Sequence, residues 1–529
     1  MKKQSEILHI PSKFQIKELH QNTYLLNGEL VQWTGEMATV NAAIYEEDSK
    51  GNSMPRVLGS IPKMQESDSL IALEAAEKSY DNGRGEWPLM TIEQRVEKVQ
   101  AFTKEMIQQR EEVVKWMLWE IGKSYDESCM EFDRTIDYIN DTIEEIEKLD
   151  AQQSIMETHG GITAQIKRSP LGVVLCMAPY NFPLNEAFCL LIPALLTGNT
   201  TIFKPARFGV LLFEPLLRLF QKHFPKGVVN FIYGDGETLA TPIMKSGKVD
   251  VLALIGNSTS ANALQGLHPK QNRLRLVLGL EAKNPAIILP DADLELSVKE
   301  CVLGSLGFNG QRCTALKIVF VHESLVSKFN AEFVKQVNSL KIGMPWEEGV
   351  RITPLPEPHK PNYLRELVSD ALSNGAEVLN SEGQSDSENL VSPKVLYPVN
   401  ESMRVFHEEQ FGPIVPIVPF KDVQEPLQYI SESNYGQQVS LFSSNATTLA
   451  PLIDVLVNQV SRVNINSKCQ RGPDVFPFVG RKDSAVSTLS VTDALKSFSV
   501  RTMVALKESQ ENKNILKDLK VSKQSNFMN

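Results

Sequence analysis

The sequence contains no long apolar run and few cysteines for its length. The longest apolar stretch, Ala187 to Leu196, is far shorter than the ~20 residues of a transmembrane helix. The N-terminus carries charges where a signal peptide needs apolar residues. Six cysteines in 529 residues, with no C-x-x-C pair, are too few for a disulfide framework. We therefore expect a cytoplasmic protein with free thiols and no membrane partner.

Positive charge and metal-binding patterns are also scarce. Lys and Arg number 54 against 64 Asp and Glu, and the net charge of −10 gives no general attraction to nucleic acid. The eight histidines are scattered, no HExxH is present, and no His/Cys group has ligand spacing. With 42% hydrophobic and 22% charged residues, the composition is that of a globular protein. We expect a small-molecule partner and no metal site.

Short β-branched runs alternate with helical stretches after Gly172. This alternation predicts βαβ units and a parallel sheet covered by helices on both faces. Ligands of such sheets bind at the carboxyl ends of the strands. A second α/β series begins near Pro285. The predicted strands of the first series are Val173 to Met177, Thr200 to Phe203, Val228 to Tyr233, Val249 to Ile255 and Arg275 to Leu278.

One cysteine stands in a polar, glycine-containing segment. Cys313 follows the turn around Gly310 and adjoins Arg312. Because positive charge lowers the pKa of a thiol, a thiolate is expected there, and Cys313 is a candidate nucleophile. The alternative is a small buried hydrophobe, as for Cys301 on the preceding apolar helix. The residues alone leave open whether a histidine, such as His407, approaches Cys313 to form a hydrolase triad.

Seven separated segments carry recognisable motifs: Ala178 to Pro183, Lys204 to Ala206, Gly256 to Thr259, Lys283 to Pro285, Gln311 to Cys313, Glu408 to Pro413 and Asn434 to Gly436. By their order and spacing, these segments together resemble the aldehyde dehydrogenase superfamily over residues 20 to 507. Within it, the segments 469 to 474 and 476 to 478 are similar to the NADP-dependent, non-phosphorylating glyceraldehyde-3-phosphate dehydrogenases. The resemblance implies an α/β fold with a Rossmann-type parallel-sheet cofactor domain, an α/β catalytic domain and a small oligomerisation β-element.

The same resemblance sets expected domain boundaries. The dinucleotide-binding domain comprises 1–149 and 168–278, the catalytic domain 279–485, the oligomerisation element 150–167 and 486–507, and a flexible tail 508–529. In relatives the oligomerisation strands extend a neighbour's sheet, so a homodimer or homotetramer is expected. An ordinary edge strand is the alternative.

The family mechanism makes Cys313 the nucleophile that converts an aldehyde to a thiohemiacetal. The Asn181 amide and the Cys313 backbone N–H then stabilise the oxyanion. Hydride transfer to the nicotinamide leaves a thioester. The family's deacylating glutamate falls at Gly279 here, and Glu281 lies two residues on, ~6.6 Å along a strand. We expect Glu281 to act as the general base in its place.

For the cofactor, the resemblance implies NADP, with NAD as the alternative. Lys204 and Ala206 match positions near the adenosine ribose. An arginine at position 207, where many NAD-using relatives have glutamate, favours a 2′-phosphate; a solvated surface charge is the alternative. The expected cofactor-binding residues are Met177, Pro179, Lys204, Ala206, Arg207, Gly256, Ser258, Glu409 and Phe411.

For the substrate, Arg134, Arg312 and Arg471 match positions that hold a triose phosphate, since guanidinium groups suit phosphate oxygens. Relatives often carry tyrosine where this chain has Phe182. The predicted activity is NADP-dependent oxidation of an aldehyde, with glyceraldehyde 3-phosphate a candidate, to the carboxylic acid. Two alternatives remain: a CoA-acylating semialdehyde dehydrogenase, and a catalytically silent member of the fold that serves as a binding or structural subunit.

Overall fold

The structure, a computed structural model, describes residues 10–47, 52–380, 386–522 and 524–528. Residues 1–9 and 48–51 of the predicted dinucleotide-binding domain, 381–385 of the predicted catalytic domain and 523 and 529 of the predicted tail lie outside this description. No helix among the described residues combines the length and the apolar composition needed to cross a bilayer.

The N-terminal part combines short strands with long helices. Its elements are β1 (Leu19–His20), β2 (Thr23–Leu26), β3 (Glu29–Gln32), β4 (Met37–Glu47), β5 (Ser53–Pro62), α1 (Glu66–Tyr80), α2 (Glu86–Leu89), α3 (Ile92–Met106), α4 (Arg110–Ile121), α5 (Tyr125–Gln153), β6 (Glu157–His159) and β7 (Ile162–Pro170). Helix α3 starts at a capping box, in which the Thr91 hydroxyl accepts the Gln94 N–H at 3.2 Å and the Gln94 side chain accepts the Thr91 N–H at 2.9 Å. Both orphan N–H groups are thereby satisfied, which stabilises the helix start.

A six-stranded sheet follows, and its order creates a crevice. Its elements are β8 (Val173–Met177), α6 (Asn185–Leu196), β9 (Thr200–Lys204), α7 (Glu214–His223), β10 (Val229–Phe231), α8 (Gly236–Lys245), β11 (Val251–Ile255), α9 (Ser258–Leu267) and β12 (Arg275–Gly279). The parallel order is β10-β9-β8-β11-β12, and one antiparallel strand at 485–486 completes the edge. The chain reverses its direction of travel between β8 and β11. Such a switch point opens a ligand crevice at the carboxyl ends of the strands.

A second, seven-stranded sheet occupies the following part of the chain. The remaining elements are β13 (Asn284–Ile288), α10 (Leu294–Leu306), β14 (Leu316–His322), α11 (Glu323–Asn338), α12 (Lys360–Ser373), β15 (Glu377–Val378), β16 (Lys394–Tyr397), α13 (Arg404–His407), β17 (Ile414–Phe420), α14 (Gln424–Glu432), β18 (Tyr435–Gly436), β19 (Gln438–Phe442), α15 (Ala446–Leu456), β20 (Arg462–Ile465), β21 (Arg481–Lys482), β22 (Ala485–Val486), α16 (Val491–Ser497), β23 (Ser499–Lys507) and α17 (Gln510–Ser522). The order is β15-β16-β17-β14-β13-β19-β20, parallel except for the β15–β16 pair. The two predicted α/β series are therefore confirmed.

A small antiparallel sheet joins the two distant segments of the predicted oligomerisation element. Strands β6 and β7 form a hairpin, and β23 pairs with β7 from Ser499 opposite Pro170 to Lys507 opposite Ile162. Most side chains of β23 are exposed. Residues 510–522 of the predicted tail form helix α17, which has no buried residue.

Candidate active site

A cavity of about 900 Å³ lies at the carboxyl ends of β8, β9, β11 and β12. Residues that follow these strands form one side, and residues of the second α/β region form the other. Ten predicted site residues line it: Pro179, Asn181, Lys204, Ala206, Arg207, Gly256, Glu281, Cys313, Glu409 and Phe411. The other five do not contribute to its lining: Met177, Ser258, Arg134, Arg312 and Arg471.

A strained turn presents Cys313 to the cavity. Phe308, Asn309 and Gly310 have φ angles of 46°, 56° and 73°. The left-handed region is unfavourable for residues with a Cβ atom. At Gly310 a Cβ would lie 2.6 Å from the Gly412 carbonyl oxygen, so the close approach of the two backbones requires glycine. Turn strain of this kind persists where the surroundings fix it, which is typical of functional sites.

Two side chains anchor the backbone of Cys313. The Asn284 amide and the Lys317 ammonium donate hydrogen bonds to the Cys313 carbonyl oxygen at 2.8 and 2.9 Å. Lys317 also pairs with Glu409 at 2.6 Å. The position of the thiol is therefore determined by groups on three separate segments.

The thiol differs from the sequence expectation in its ionisation. The sequence predicts a thiolate stabilised by Arg312, but burial raises the pKa of Cys313 above its usual value, and Glu186 raises it further. Lys317 and Arg471 act in the opposite direction with smaller effect. The Arg312 guanidinium instead donates to the carbonyl oxygens of α10, at Gly304 (3.0 Å) and Leu303 (3.3 Å). The thiol form therefore predominates at neutral pH in this structure.

Asn181 lies beside the nucleophile on a rigid loop between β8 and α6. Its side-chain amide Nδ2 donates to the Gln311 backbone carbonyl oxygen at 2.8 Å, and the Asn181 backbone carbonyl oxygen accepts from Lys123 Nζ at 2.7 Å. Lys123 forms a buried ion pair with Glu131. An amide Nδ2 carries two hydrogens, and Gln311 takes one. The second can therefore serve a substrate oxygen.

Glu281 points towards the first turn of α9. Its Oε2 accepts the Ser258 backbone N–H at 2.8 Å, and its Oε1 accepts the Ser258 hydroxyl at 3.3 Å. Glu281 lines the same cavity as Cys313, whereas Gly279 at the end of β12 has no side chain to offer. A carboxylate at a helix N-terminus interacts favourably with the helix dipole and with free N–H groups.

The surroundings of this helix start fit a dinucleotide. The Glu281 carboxylate occupies the position at the N-terminus of α9 where another anion would bind. Lys204, whose pKa burial lowers to about 8, and the exposed Arg207 line the cavity nearby. At the other end, Glu409 accepts the Ala282 N–H at 3.1 Å, and Phe411 packs edge-on against Tyr180. Cations and a helix N-terminus are what the phosphates of a dinucleotide require, and here Glu281 holds the place of the anion at that N-terminus.

Two of the three predicted phosphate-binding arginines, Arg134 and Arg471, are already paired with acids. Arg134 binds both carboxylate oxygens of Asp474, at 2.8 and 2.9 Å. Arg471 contacts the same carboxylate at 3.2 Å and forms a buried ion pair with Glu186. These four residues form an electroneutral chain, which we call the arginine–carboxylate chain. A substrate phosphate can bind the paired edge of either guanidinium only by displacing a carboxylate.

Sequence reasoning missed several cavity residues. Glu186, in the first turn of α6, lines the cavity and keeps Oε2 buried without a hydrogen-bond partner. The sequence signal that could have indicated Glu186 is its position five residues after Asn181. Tyr180 belongs to a matching segment, and its hydroxyl donates to Glu357 at 3.0 Å. Lys360 lies in no recognisable motif. Among the described residues, no group of three or more His, Cys, Asp or Glu could hold a metal ion.

Comparisons with known proteins identify relatives of this chain. The chain is 32% identical over 468 residues to the NADP-dependent glyceraldehyde-3-phosphate dehydrogenase of Streptococcus equinus, covering 85% of this chain and 92% of that protein. It is 27% identical over 474 residues to the enzyme of the same name from Pisum sativum, covering 87% and 93%.

A solved structure is also similar. The NADP-dependent glyceraldehyde-3-phosphate dehydrogenase from Bacillus halodurans C-125, complexed with NADP, superimposes with a TM-score of 0.84 at 31% identity. The match covers 93% of this chain and all of that chain. The family model described as the aldehyde dehydrogenase family matches residues 50–504. The chain therefore belongs to the aldehyde dehydrogenase family.

Proposed function

We propose that the protein oxidises an aldehyde to the carboxylic acid with NADP as the hydride acceptor. The observation that carries the proposal is one cavity, at the switch point of the parallel sheet, that holds Cys313, Asn181 and the cations Lys204 and Arg207. The named relatives that use NADP support the choice of cofactor.

In this mechanism the Cys313 thiol loses its proton to solvent water, and the resulting thiolate attacks the aldehyde carbon to form a thiohemiacetal. The free hydrogen of the Asn181 amide and the Cys313 backbone N–H stabilise the oxygen anion; each such donor contributes ~10²–10³ to the rate in other enzymes. When bound, the dinucleotide supplies the acceptor for the hydride. Glu281 then activates water against the thioester, because it is the cavity carboxylate nearest in sequence to the vacant Gly279 position.

The first substrate to test is glyceraldehyde 3-phosphate, which the names of the relatives suggest. Arg134 and Arg471 supply guanidinium groups for its phosphate after exchange with Asp474, and the backbone-bound Arg312 lies next to Cys313 in the chain. Phe182 provides no hydroxyl here. Unphosphorylated aldehydes are the necessary comparison, because the arginine–carboxylate chain is neutral as it stands.

Stopped-flow measurement of cofactor reduction tests the function directly. The experiment combines glyceraldehyde 3-phosphate or simple aldehydes with NADP or NAD. Steady turnover with NADP supports the hydrolytic enzyme. A single burst that continues only after coenzyme A is added supports the acylating alternative. No burst with any aldehyde contradicts the proposal and supports a silent binding or structural subunit.

Replacing Arg207 by glutamate should weaken NADP binding more than NAD binding. Arg207 is exposed at the cavity wall, where a charge-assisted hydrogen bond to the 2′-phosphate is available only with NADP. We expect the Kd for NADP to rise about 10-fold or more, with a smaller change for NAD, by titration calorimetry. Arg273→Glu, another exposed arginine, is the matched control. Equal weakening for both cofactors would exclude contact with the 2′-phosphate.

We also propose the domain division given by the sequence, a cytoplasmic location and a homodimer or homotetramer. The hairpin β6–β7 and β23 form a sheet of their own, which supports a separate oligomerisation element. Strand β7 extends to Pro170, past the proposed boundary at 167, and β22 at the boundary near 485 pairs with β12 of the six-stranded sheet. Strand β23 pairs on one side with β7 and exposes Val500, Met503 and Val504. An exposed edge with apolar side chains suits addition of a strand from a second copy.

A further inference from the structure

We propose that Glu281 closes the diphosphate subsite in the free enzyme and leaves it when a dinucleotide binds. The proposal rests on the proposed function, because it assumes that the N-terminus of α9 receives the diphosphate. It gives Glu281 a binding role distinct from its role towards the thioester.

The contacts of Glu281 are those of a bound anion. The Ser258 N–H points at Oε2 (2.8 Å) and the Ser258 hydroxyl at Oε1 (3.3 Å), so both carboxylate oxygens are held. The first-turn N–H groups of a helix have no partner within the helix and attract phosphates. Asn257 caps α9 through the Ser260 N–H at 2.7 Å. The Ser258 N–H is thus the group that a diphosphate and Glu281 must share.

The backbone beside Glu281 is fixed, so the movement is confined to its side chain. Glu281 lies in the connection between β12 and β13. The preceding Leu280 donates its N–H to the Ser484 carbonyl oxygen at 2.9 Å. The following Ala282 donates its N–H to Glu409 at 3.1 Å. Rotation about the side-chain bonds of Glu281 can therefore free the Ser258 N–H without a shift of the strands.

The displaced carboxylate remains within the catalytic cavity. Glu281 and Cys313 line the same cavity, and Gly279 at the end of β12, which also lines it, has no side chain that could block rotation of Glu281. Binding of the diphosphate thus removes the carboxylate from α9 and makes it available on the side of Cys313. Binding of the cofactor therefore also releases the carboxylate that acts as the general base.

Equilibrium binding of NADP to three forms of the full-length protein tests the proposal without turnover. The forms are wild type, Glu281→Gln and Glu281→Asp, measured by titration calorimetry in the absence of aldehyde. Aspartate keeps the charge, but it is one methylene shorter, about 1.5 Å, and does not reach the Ser258 N–H. We expect both variants to bind NADP about tenfold more tightly than wild type, because each removes a charge-assisted hydrogen bond that competes with the ligand.

The aspartate variant separates competition from plain charge repulsion. If only Glu281→Gln binds more tightly, repulsion explains the result and the proposal is overturned. Equal affinity in all three forms also overturns it. Glu237→Gln, an exposed carboxylate in the first turn of α8, is the control and should leave the affinity unchanged. If no form binds NADP, the proposed function fails together with this proposal, whereas tight binding by wild type with no effect of either variant contradicts only this proposal.

Discussion

Replacing Cys313 by alanine is expected to abolish the burst of cofactor reduction and to lower aldehyde oxidation by at least about 10⁴-fold. Loss of a nucleophile removes the covalent intermediate altogether, and effects of this size are typical. Cys313 is the one cysteine among the described residues that line the cavity. Stopped-flow absorbance of the reduced cofactor gives the burst amplitude, which should fall from about one per subunit to none.

The pH dependence supplies a second readout for the same residue. Because burial raises the pKa of Cys313, the thiolate fraction is small at neutral pH and grows as pH rises towards that pKa. Alkylation of the free enzyme by iodoacetamide should therefore accelerate continuously between about pH 7 and 9. The cavity exposes this thiol, whereas Cys301 is fully buried on α10.

Cys301→Ala is the matched control for Cys313→Ala. Cys301 packs in the core of the second α/β region, so its loss should cost about 1 kcal/mol of stability and leave the burst intact. Thermal melts of both variants check that each is folded. Equal bursts in wild type and Cys313→Ala would refute the assignment of the nucleophile.

Replacing Glu281 by glutamine is expected to leave the burst intact and to slow steady-state turnover by at least about 10²-fold. A general base contributes ~10²–10⁴ to a rate, and the burst precedes the step that needs the base. The measurement is the ratio of burst rate to steady-state rate at saturating NADP, which removes any effect of Glu281 on cofactor affinity. Hydroxylamine, which attacks thioesters without a general base, should restore turnover.

The family position offers a rescue of that variant. In Glu281→Gln, the additional change Gly279→Glu returns a carboxylate to the usual place, and turnover should partly recover. A Cβ at position 279 meets the ends of the Leu489 and Ile255 side chains at 3.2 and 3.4 Å, which must yield by a few tenths of an ångström. Glu295→Gln, an exposed carboxylate on α10, is the control. Unchanged turnover in Glu281→Gln would remove Glu281 from the hydrolytic step.

The sequence predicts much of the fold because the relevant signals are local. Alternation of short β-branched runs with helical stretches predicts the parallel strands β8 to β12, and Thr91 with Gln94 predicts the start of α3. Helix α17 was the exception. None of its residues is buried, so the apolar face that normally reveals a helix has nothing to pack against.

The sequence predicts ten of the residues that line the cavity, but it does not predict the contacts that they make. Arg134 and its partner Asp474 are 340 positions apart, and no local pattern encodes such a pair. The pKa of Cys313 is set mainly by burial and next by Glu186 on α6, which is distant in the sequence. The attachment of Glu281 to Ser258 likewise depends on how β12 and α9 pack. The order of the motifs predicts which residues lie near the cavity, whereas the packing of distant segments determines which partner each residue binds.

The nine-residue strand β23 has a consequence for handling the protein in solution. One of its edges pairs with β7, and within the described part of the chain its other edge has no strand partner. If a second subunit completes that edge, the folded state gains stability by mass action, and the melting temperature rises with protein concentration. Dilution would then destabilise the region around β23 before the rest of the protein.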